Sequence, residues 1–151
     1  MSAESPTVHA SAVLVGARAA LIRGPAGAGK SRLALALVHA AQTGLIPFAR
    51  LIGDDRVRLE AHHGRLLVRP AAALAGLIEV RGLGIRRLAY EPLAIVGLVV
   101  DLAVADAGRL PAATEQEAVI SGIRLPRLAV ASEPLPAVLA FLGTQAAKSP
   151  H

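Results

Sequence analysis

The order of apolar and polar positions along the chain predicts many short strands. Apolar or alternating runs of strand length are separated by turn residues, and they occupy residues 9–15, 19–24, 49–55, 56–70, 93–104 and 121–130. Gly16-Ala17-Arg18 and His62-His63-Gly64 are turn sequences that predict two hairpins. The run 93–104 is apolar at nearly every position, which is typical of a strand buried on both faces.

Helical signals are fewer than strand signals. We predict one helix from Ser31 to about Gln42, where Gly44 then ends the pattern. A second helix is predicted within residues 132–145, with Ser132 as its cap. The sequence therefore predicts a sheet-rich α/β fold rather than a doubly wound nucleotide-binding fold, in which strands and helices alternate regularly.

Length and composition indicate a single domain that spans residues 1–151, with flexible ends at 1–8 and 144–151. A hydrophobic content of 54% excludes a disordered chain. No apolar run approaches the roughly 18 residues that cross a bilayer, and no basic region precedes an apolar stretch at the N-terminus. The absence of cysteine excludes disulfides and thiolate metal sites. We therefore expect a cytoplasmic protein without a membrane partner.

The charge of the chain bears on its partners. The net charge is +5, and 14 of the 16 basic residues are arginines. These arginines are scattered, and the chain has only two Phe, one Tyr and no Trp. A nucleic-acid-binding protein more often shows a basic stripe with interleaved aromatic residues. We therefore expect a nucleotide or an acidic protein as partner, and no nucleic acid.

A glycine-rich loop carries the strongest signal for nucleotide binding. The spacing Gly24-x4-Gly29-Lys30-Ser31 lies between a predicted strand and a predicted helix, as in phosphate-binding loops. The loop consists of Gly24, Pro25, Ala26, Gly27, Ala28, Gly29, Lys30 and Ser31. Backbone amides of such a loop wrap the phosphates, the lysine reaches the outer phosphates, and the serine hydroxyl binds Mg²⁺. The sequence therefore predicts a nucleotide site, although this pattern alone leaves the reaction open.

Three further segments contain candidate site residues. Asp54 and Asp55 end a hydrophobic strand, where one acid could anchor Mg²⁺ and the other act as a base; an ordinary exposed turn is the alternative. Glu79 and Arg81 stand two residues apart and share a face if extended, so they could hold a metal and a phosphate or form a surface ion pair. His9 is either incidental or orients an acid.

Together these stretches resemble the catalytic domain of the HPr kinase/phosphorylase family, whose members phosphorylate a serine of the phosphocarrier HPr. The matching segments, in the family's order, are HASAVLV, ALIRGPAGAGKSRLALAL, LIGDDRV and LIEVRGLGI. The segment EVRGLGI is the specific one, since many families share a phosphate-binding loop. The chain resembles a short form without the N-terminal domain of full-length members. The resemblance implies a phosphoenolpyruvate-carboxykinase-like α/β fold.

The resemblance also implies catalytic roles for individual residues. Lys30 matches the lysine of the family's phosphate-binding loop. Asp54 matches the acid that serves as catalytic base and takes the proton of the substrate serine. His9 matches the histidine that orients and tunes this acid. Arg109, in the segment DAGRLP, resembles an arginine that serves phosphoryl transfer.

Metal and phosphate contacts follow from the same resemblance. Ser31 matches the magnesium-binding serine, and Asp55 and Glu79 match the carboxylates around the metal. Arg81 matches an arginine on the phosphate side of the site. The implied cofactors are ATP and Mg²⁺.

The implied function is an ATP- and Mg²⁺-dependent serine kinase that acts on HPr or an HPr-like carrier. This chain carries extra residues around QTGLIPF and lacks the family's late proline-glycine-arginine-asparagine segment, which supports the phosphorylase reaction and contacts the protein substrate in the family. We therefore expect kinase activity, while the resemblance leaves the phosphorylase reaction and a homo-oligomer open. Two alternatives remain: a small-metabolite kinase and a non-catalytic nucleotide-sensing module.

Overall fold

A mixed β-sheet with two helices forms the main body of the computed structural model, which describes residues 6–103, 116–131 and 133–143. The strands are β1 Thr7–Val8, β2 Ser11–Val15, β3 Arg18–Arg23, β4 Ala49–Gly53, β5 Val57–His62, β6 Arg65–Pro70, β7 Leu77–Val80, β8 Gly84–Arg87, β9 Ala94–Leu102, β10 Glu117–Ile120 and β11 Ile123–Val130. The helices are α1 Lys30–Gln42 and α2 Pro134–Gly143, with a short 3-10 helix at Ala72–Leu74. The predicted sheet-rich α/β fold is confirmed.

The order of the strands places several strand ends at one edge of the sheet. The main sheet runs β1-β5-β6-β9-β3-β2-β4, and β11 joins it by pairing with β9. β9 is parallel to both β3 and β11, so the C-terminal ends of these three strands meet at the same edge. β2 is antiparallel to both β3 and β4, so β4 also ends there and β2 begins there. The loop after β3 and the acids after β4 are thereby brought together.

Side-chain alternation divides the core between the two faces of this sheet. Ala12 and Leu21 pack in a cluster on the face that the β5–β6 and β10–β11 hairpins cover. Their neighbours Val13 and Ile22 point to the other face, where they join the buried leucines of α1 in a second cluster. Both faces of β3 and β9 are buried, which explains why these strands read as continuous apolar runs.

The predicted hairpins at residues 16–18 and 62–64 and the helix that ends near Gln42 are confirmed. Strands β1 and β10 are additions that the pattern did not predict, because two and four residues are too few to show a period. Ser132 and Arg109 lie outside the described residues. None of the described helices is long and apolar enough to cross a membrane.

Candidate active site

The glycine-rich loop joins β3 to α1, as its spacing predicts. Gly29 is the N-terminal cap of the helix and has φ 103°, a left-handed conformation that glycine adopts without steric cost. In the described structure no side chain caps this end of the helix. The first amides of α1 therefore point towards the loop without a side-chain acceptor, and together with the helix dipole they form a place for an anion.

Lys30 is buried under the loop that precedes it. Its Nζ donates to the carbonyl oxygens of Gly24 at 2.7 Å and Pro25 at 3.1 Å. Gly24 allows this close packing, because a Cβ there would lie 3.2 Å from the Cβ atoms of Ala28 and Leu102. The loop thus closes around its own lysine, and phosphate oxygens would compete with the two carbonyls for the ammonium group.

Asp54 follows β4 and is buried, with 4% of its surface exposed. The Ser31 hydroxyl lies 2.8 Å from both carboxylate oxygens of Asp54, and the Ser11 hydroxyl donates to its Oδ1 at 2.7 Å. The backbone N–H of Glu79 donates to Oδ2 at 3.3 Å. All these donors are neutral, and within the described residues no cation forms an ion pair with Asp54.

Asp55 points away from Asp54 into solvent, and 63% of its side chain is exposed. Its φ of 68° turns the chain sharply after the strand, and its backbone N–H donates to the Ser11 hydroxyl oxygen at 3.3 Å. His9 Nε2 lies 3.0 Å from Asp55 Oδ1. The resemblance places His9 beside Asp54, but the structure brings His9 to Asp55, which lies in the bend after β4 with a left-handed backbone.

The other predicted site residues contribute less directly. Glu79 reaches Asp54 with its backbone, while its carboxylate is exposed. Arg81 is exposed in the turn between β7 and β8. Among the described residues, no three His, Cys, Asp or Glu side chains converge to hold a metal ion. Ser31 is the predicted metal ligand that the structure brings to a carboxylate, and that carboxylate belongs to Asp54 rather than to Asp55 or Glu79.

These features coincide with those of a known family. The model of the HPr serine kinase C-terminal domain matches residues 1–90, a segment that contains the glycine-rich loop, both adjacent acids and the β7–β8 hairpin. The chain belongs to this family.

Individual relatives agree with the family assignment. HPr kinase/phosphorylases of Streptococcus thermophilus strains LMD-9 and CNRZ 1066 are each 40% identical to it over 84 residues, or 55% of this chain. The match spans 25% of the length of each relative. The Hpr(Ser) kinase/phosphatase structure from Coxiella burnetii superposes with a TM-score of 0.72 at 24% identity, covering 89% of this chain and 91% of that one. At this sequence identity, the superposition on the Coxiella burnetii structure shows a shared fold.

A second buried acid lies at the same sheet edge in this family member. Asp101, at the end of β9, accepts two hydrogen bonds of 2.7 Å from Arg23 and one from Arg127. Burial raises the pKa of Asp101, but the hydrogen bonds and charges of the two arginines lower it by more, so the pKa lies below its ordinary value of 3.8. Arg23 directly precedes the loop, and this cluster therefore fixes the strand end from which the loop departs.

Sequence reasoning missed Ser11 and the cluster around Asp101. Ser11 is a polar residue inside an apolar strand segment, and this is a signal that could have marked it as a buried hydrogen-bonding group. Asp101 is likewise a charged residue inside the apolar run 93–104. Its two arginine partners come from β3 and β11, so only the strand pairing shows which arginines they are.

Proposed function

We propose that this chain is an ATP- and Mg²⁺-dependent serine kinase whose substrate is HPr or an HPr-like phosphocarrier. The observation that carries this proposal is the buried Asp54, held by Ser31 beside the phosphate-binding loop without a cationic partner among the described residues. Family membership supports the same reaction. In a nucleotide-sensing module, the exposed pair of Asp55 and His9 next to this site would have no evident use.

The loop and the start of α1 would bind the phosphates of ATP. The uncapped amides of the helix face the loop, and Lys30 would exchange the Gly24 and Pro25 carbonyls for phosphate oxygens. A hydroxyl and a carboxylate are hard oxygen ligands of the kind that Mg²⁺ prefers, so Ser31 and Asp54 fit this ion. When bound, Mg²⁺ neutralises charge on the phosphates during transfer.

Asp55 is the residue that we assign as the proton acceptor, and this differs from the assignment by resemblance. The oxygens of Asp54 are already engaged by hydroxyl and amide donors, whereas Asp55 faces solvent and contacts His9. In this assignment the substrate serine oxygen attacks the γ-phosphorus, its proton passes to Asp55, and the bond to ADP breaks. His9 would hold the Asp55 carboxylate in place. Arg81 stays a predicted phosphate contact, and Arg109 stays a predicted catalytic residue of phosphoryl transfer.

The activity is tested by incubating the protein with γ-labelled ATP, Mg²⁺ and purified HPr. We expect label on a serine of HPr, identified by mass spectrometry, and no transfer to an HPr variant in which that serine is alanine. ATP binding without transfer by the wild-type chain would favour the nucleotide-sensing alternative. Addition of inorganic phosphate to labelled HPr tests whether the chain also carries out the phosphorylase reaction.

The assignment of the base is tested by Asp55→Asn. Loss of a general base lowers a rate by roughly 100-fold or more, so we expect kcat to fall by about that factor. The Mg²⁺ concentration needed for half-maximal activity should stay unchanged, because Asp55 does not contact Ser31 in our assignment. A variant that keeps full kcat, or one that instead needs far more Mg²⁺, would return the role of base to Asp54.

A further inference from the structure

The hairpin of β7 and β8 exposes an unusual combination of side chains beside the candidate active site. Every residue from 81 to 87 is exposed. The large side chains of this segment are three arginines and two aliphatic residues, namely Arg81, Arg86, Arg87, Leu83 and Ile85. Leu83 and Ile85 are 62% and 63% exposed, among the highest values for large apolar residues in the described chain. We call residues 77–87 the arginine hairpin.

The charges of the arginine hairpin are not balanced within the described structure. Arg86 and Arg87 form neither ion pairs nor hydrogen bonds with described residues. Two exposed arginines on other strands differ, since Arg50 pairs with Glu91 at 2.7 Å and Arg69 pairs with Glu60 at 2.8 Å. Glu79 is the one acidic residue in the sequence of the hairpin, against three arginines. The segment is therefore a local positive surface.

The arginine hairpin lies next to the Asp54 carboxylate of the candidate active site. Ile78 is buried in the cluster around α1, which anchors one face of the hairpin. The opposite face carries Glu79, its cross-strand partner Ile85, and Arg87. Arg86, the cross-strand partner of Ile78, lies on the other face and is exposed along the outer strand β8. The backbone of Glu79 contacts Asp54, and β8 lies one strand spacing farther out, about 5 Å. A protein that brings a serine to this site would come to lie against β8.

We propose that the arginine hairpin is the docking surface for the substrate protein and that it receives an acidic face with apolar side chains. This inference rests on the proposed kinase function. Arg86 and Arg87 are exposed on the two sides of the outer strand β8 and supply the charge complementarity, while Leu83 and Ile85 supply apolar contact area. A nucleic acid fits less well, because the segment has no aromatic residue on which a base could stack.

The test is the double variant Arg86→Glu/Arg87→Glu, with HPr as the probe. We expect KM for HPr to rise by about 10-fold or more, because charge reversal at a docking surface turns attraction into repulsion. The KM for ATP and the kcat should stay within about twofold, since neither arginine belongs to the nucleotide site. For the wild type, KM for HPr should rise with salt concentration, and this dependence should weaken in the variant.

A matched control is Arg65→Glu/Arg124→Glu, which makes the same charge change on β6 and β11, strands that do not pair with the hairpin. This control should leave KM for HPr near the wild-type value. Equal effects of the two double variants, or none in either, would overturn the docking proposal. Tight binding of a single-stranded oligonucleotide that only Arg86→Glu/Arg87→Glu abolishes would assign the surface to nucleic acid instead.

Direct titration calorimetry with HPr separates the docking surface from the kinase activity. If the wild type binds HPr but transfers no phosphate, the proposed function fails, and docking is then judged from the affinities alone. Weaker binding by Arg86→Glu/Arg87→Glu with unchanged binding by the control would still support the surface. If the wild type does not bind HPr and does not phosphorylate it, both proposals fall.

Discussion

Two buried carboxylates lie at the same edge of the sheet, and they are satisfied in different ways. Asp54 is 4% exposed and Asp101 is 6% exposed. Asp101 receives its hydrogen bonds from two guanidinium groups, whereas Asp54 receives them from two hydroxyls and a backbone amide. Burying a carboxylate is costly unless its charge is compensated, and the surroundings of Asp101 supply that compensation from within the described chain.

The contrast indicates different purposes for the two acids. The charge of Asp101 is already compensated by Arg23 and Arg127, so this carboxylate has little tendency to recruit an ion from solution. Asp54 keeps an uncompensated negative charge beside the loop that would hold the phosphates. We infer that Asp101 stabilises the strand ends and that the function of Asp54 is to bind a cation.

Neutralising Asp54 should have the largest effect on activity. In Asp54→Asn the amide is a poor ligand for Mg²⁺, and we expect kcat for transfer to HPr to fall by roughly 1,000-fold, about 4 kcal/mol of transition-state stabilisation. Measuring the rate against Mg²⁺ concentration checks this, and added Mg²⁺ should not restore the rate. Thermal unfolding should show that the variant stays folded.

The same change at Asp101 is the control. Asp101→Asn should keep transfer within about tenfold of the wild-type rate, because Asp101 acts on the fold and not on the phosphates. If the two asparagine variants lost activity equally, the contrast between the two acids would not hold.

Ser11 offers a smaller change at the same carboxylate. Ser11→Ala removes the donor to Asp54 Oδ1 and the acceptor for the Asp55 amide, so both acids lose a restraint. We expect kcat to fall by about tenfold, which corresponds to about 1.4 kcal/mol, with a higher Mg²⁺ requirement. Ser11→Thr keeps the hydroxyl and should recover most of the rate. Equal rates for Ser11→Ala and the wild type would mean that Ser31 and the loop hold Asp54 without help.

The parts of the fold that follow from local patterns could be predicted from the sequence. The apolar run of β9 indicated a central strand, and the glycine spacing located the loop and the start of α1 to within one residue. These features depend on side chains close together in the chain. The segments that joined the described sheet unexpectedly, β1 and β10, are short and carry no such pattern.

The partners of the acids could not be predicted in the same way. His9 and Asp55 are 46 positions apart, and Arg23 and Asp101 are 78 positions apart, so strand register decides whether they meet. The pairing of β2 with β4 contains an irregularity between Ala12 and Val13, close to Ser11 and to the end of β4. Asp54 and Asp55 lie in the bend that follows β4, and the sequence alone does not show which of them turns towards the loop.

The contrast between the two acids extends to stability as well as activity. Asp101→Asn replaces a charged acceptor of two arginines by a neutral one, which should lower the free energy of unfolding by about 2 kcal/mol at neutral pH. The pKa of Asp101 is lower in the folded chain than its ordinary value of 3.8, so the unfolded chain binds more protons between these two values. The contribution of the Asp101 carboxylate to the free energy of unfolding is therefore fully present above pH 3.8, and it is lost as the pH falls through the lower pKa of the folded chain. Urea unfolding at pH 7 and at pH 3 should show a smaller difference between wild type and Asp101→Asn at the lower pH, and an unchanged difference would place the contribution in packing rather than in charge.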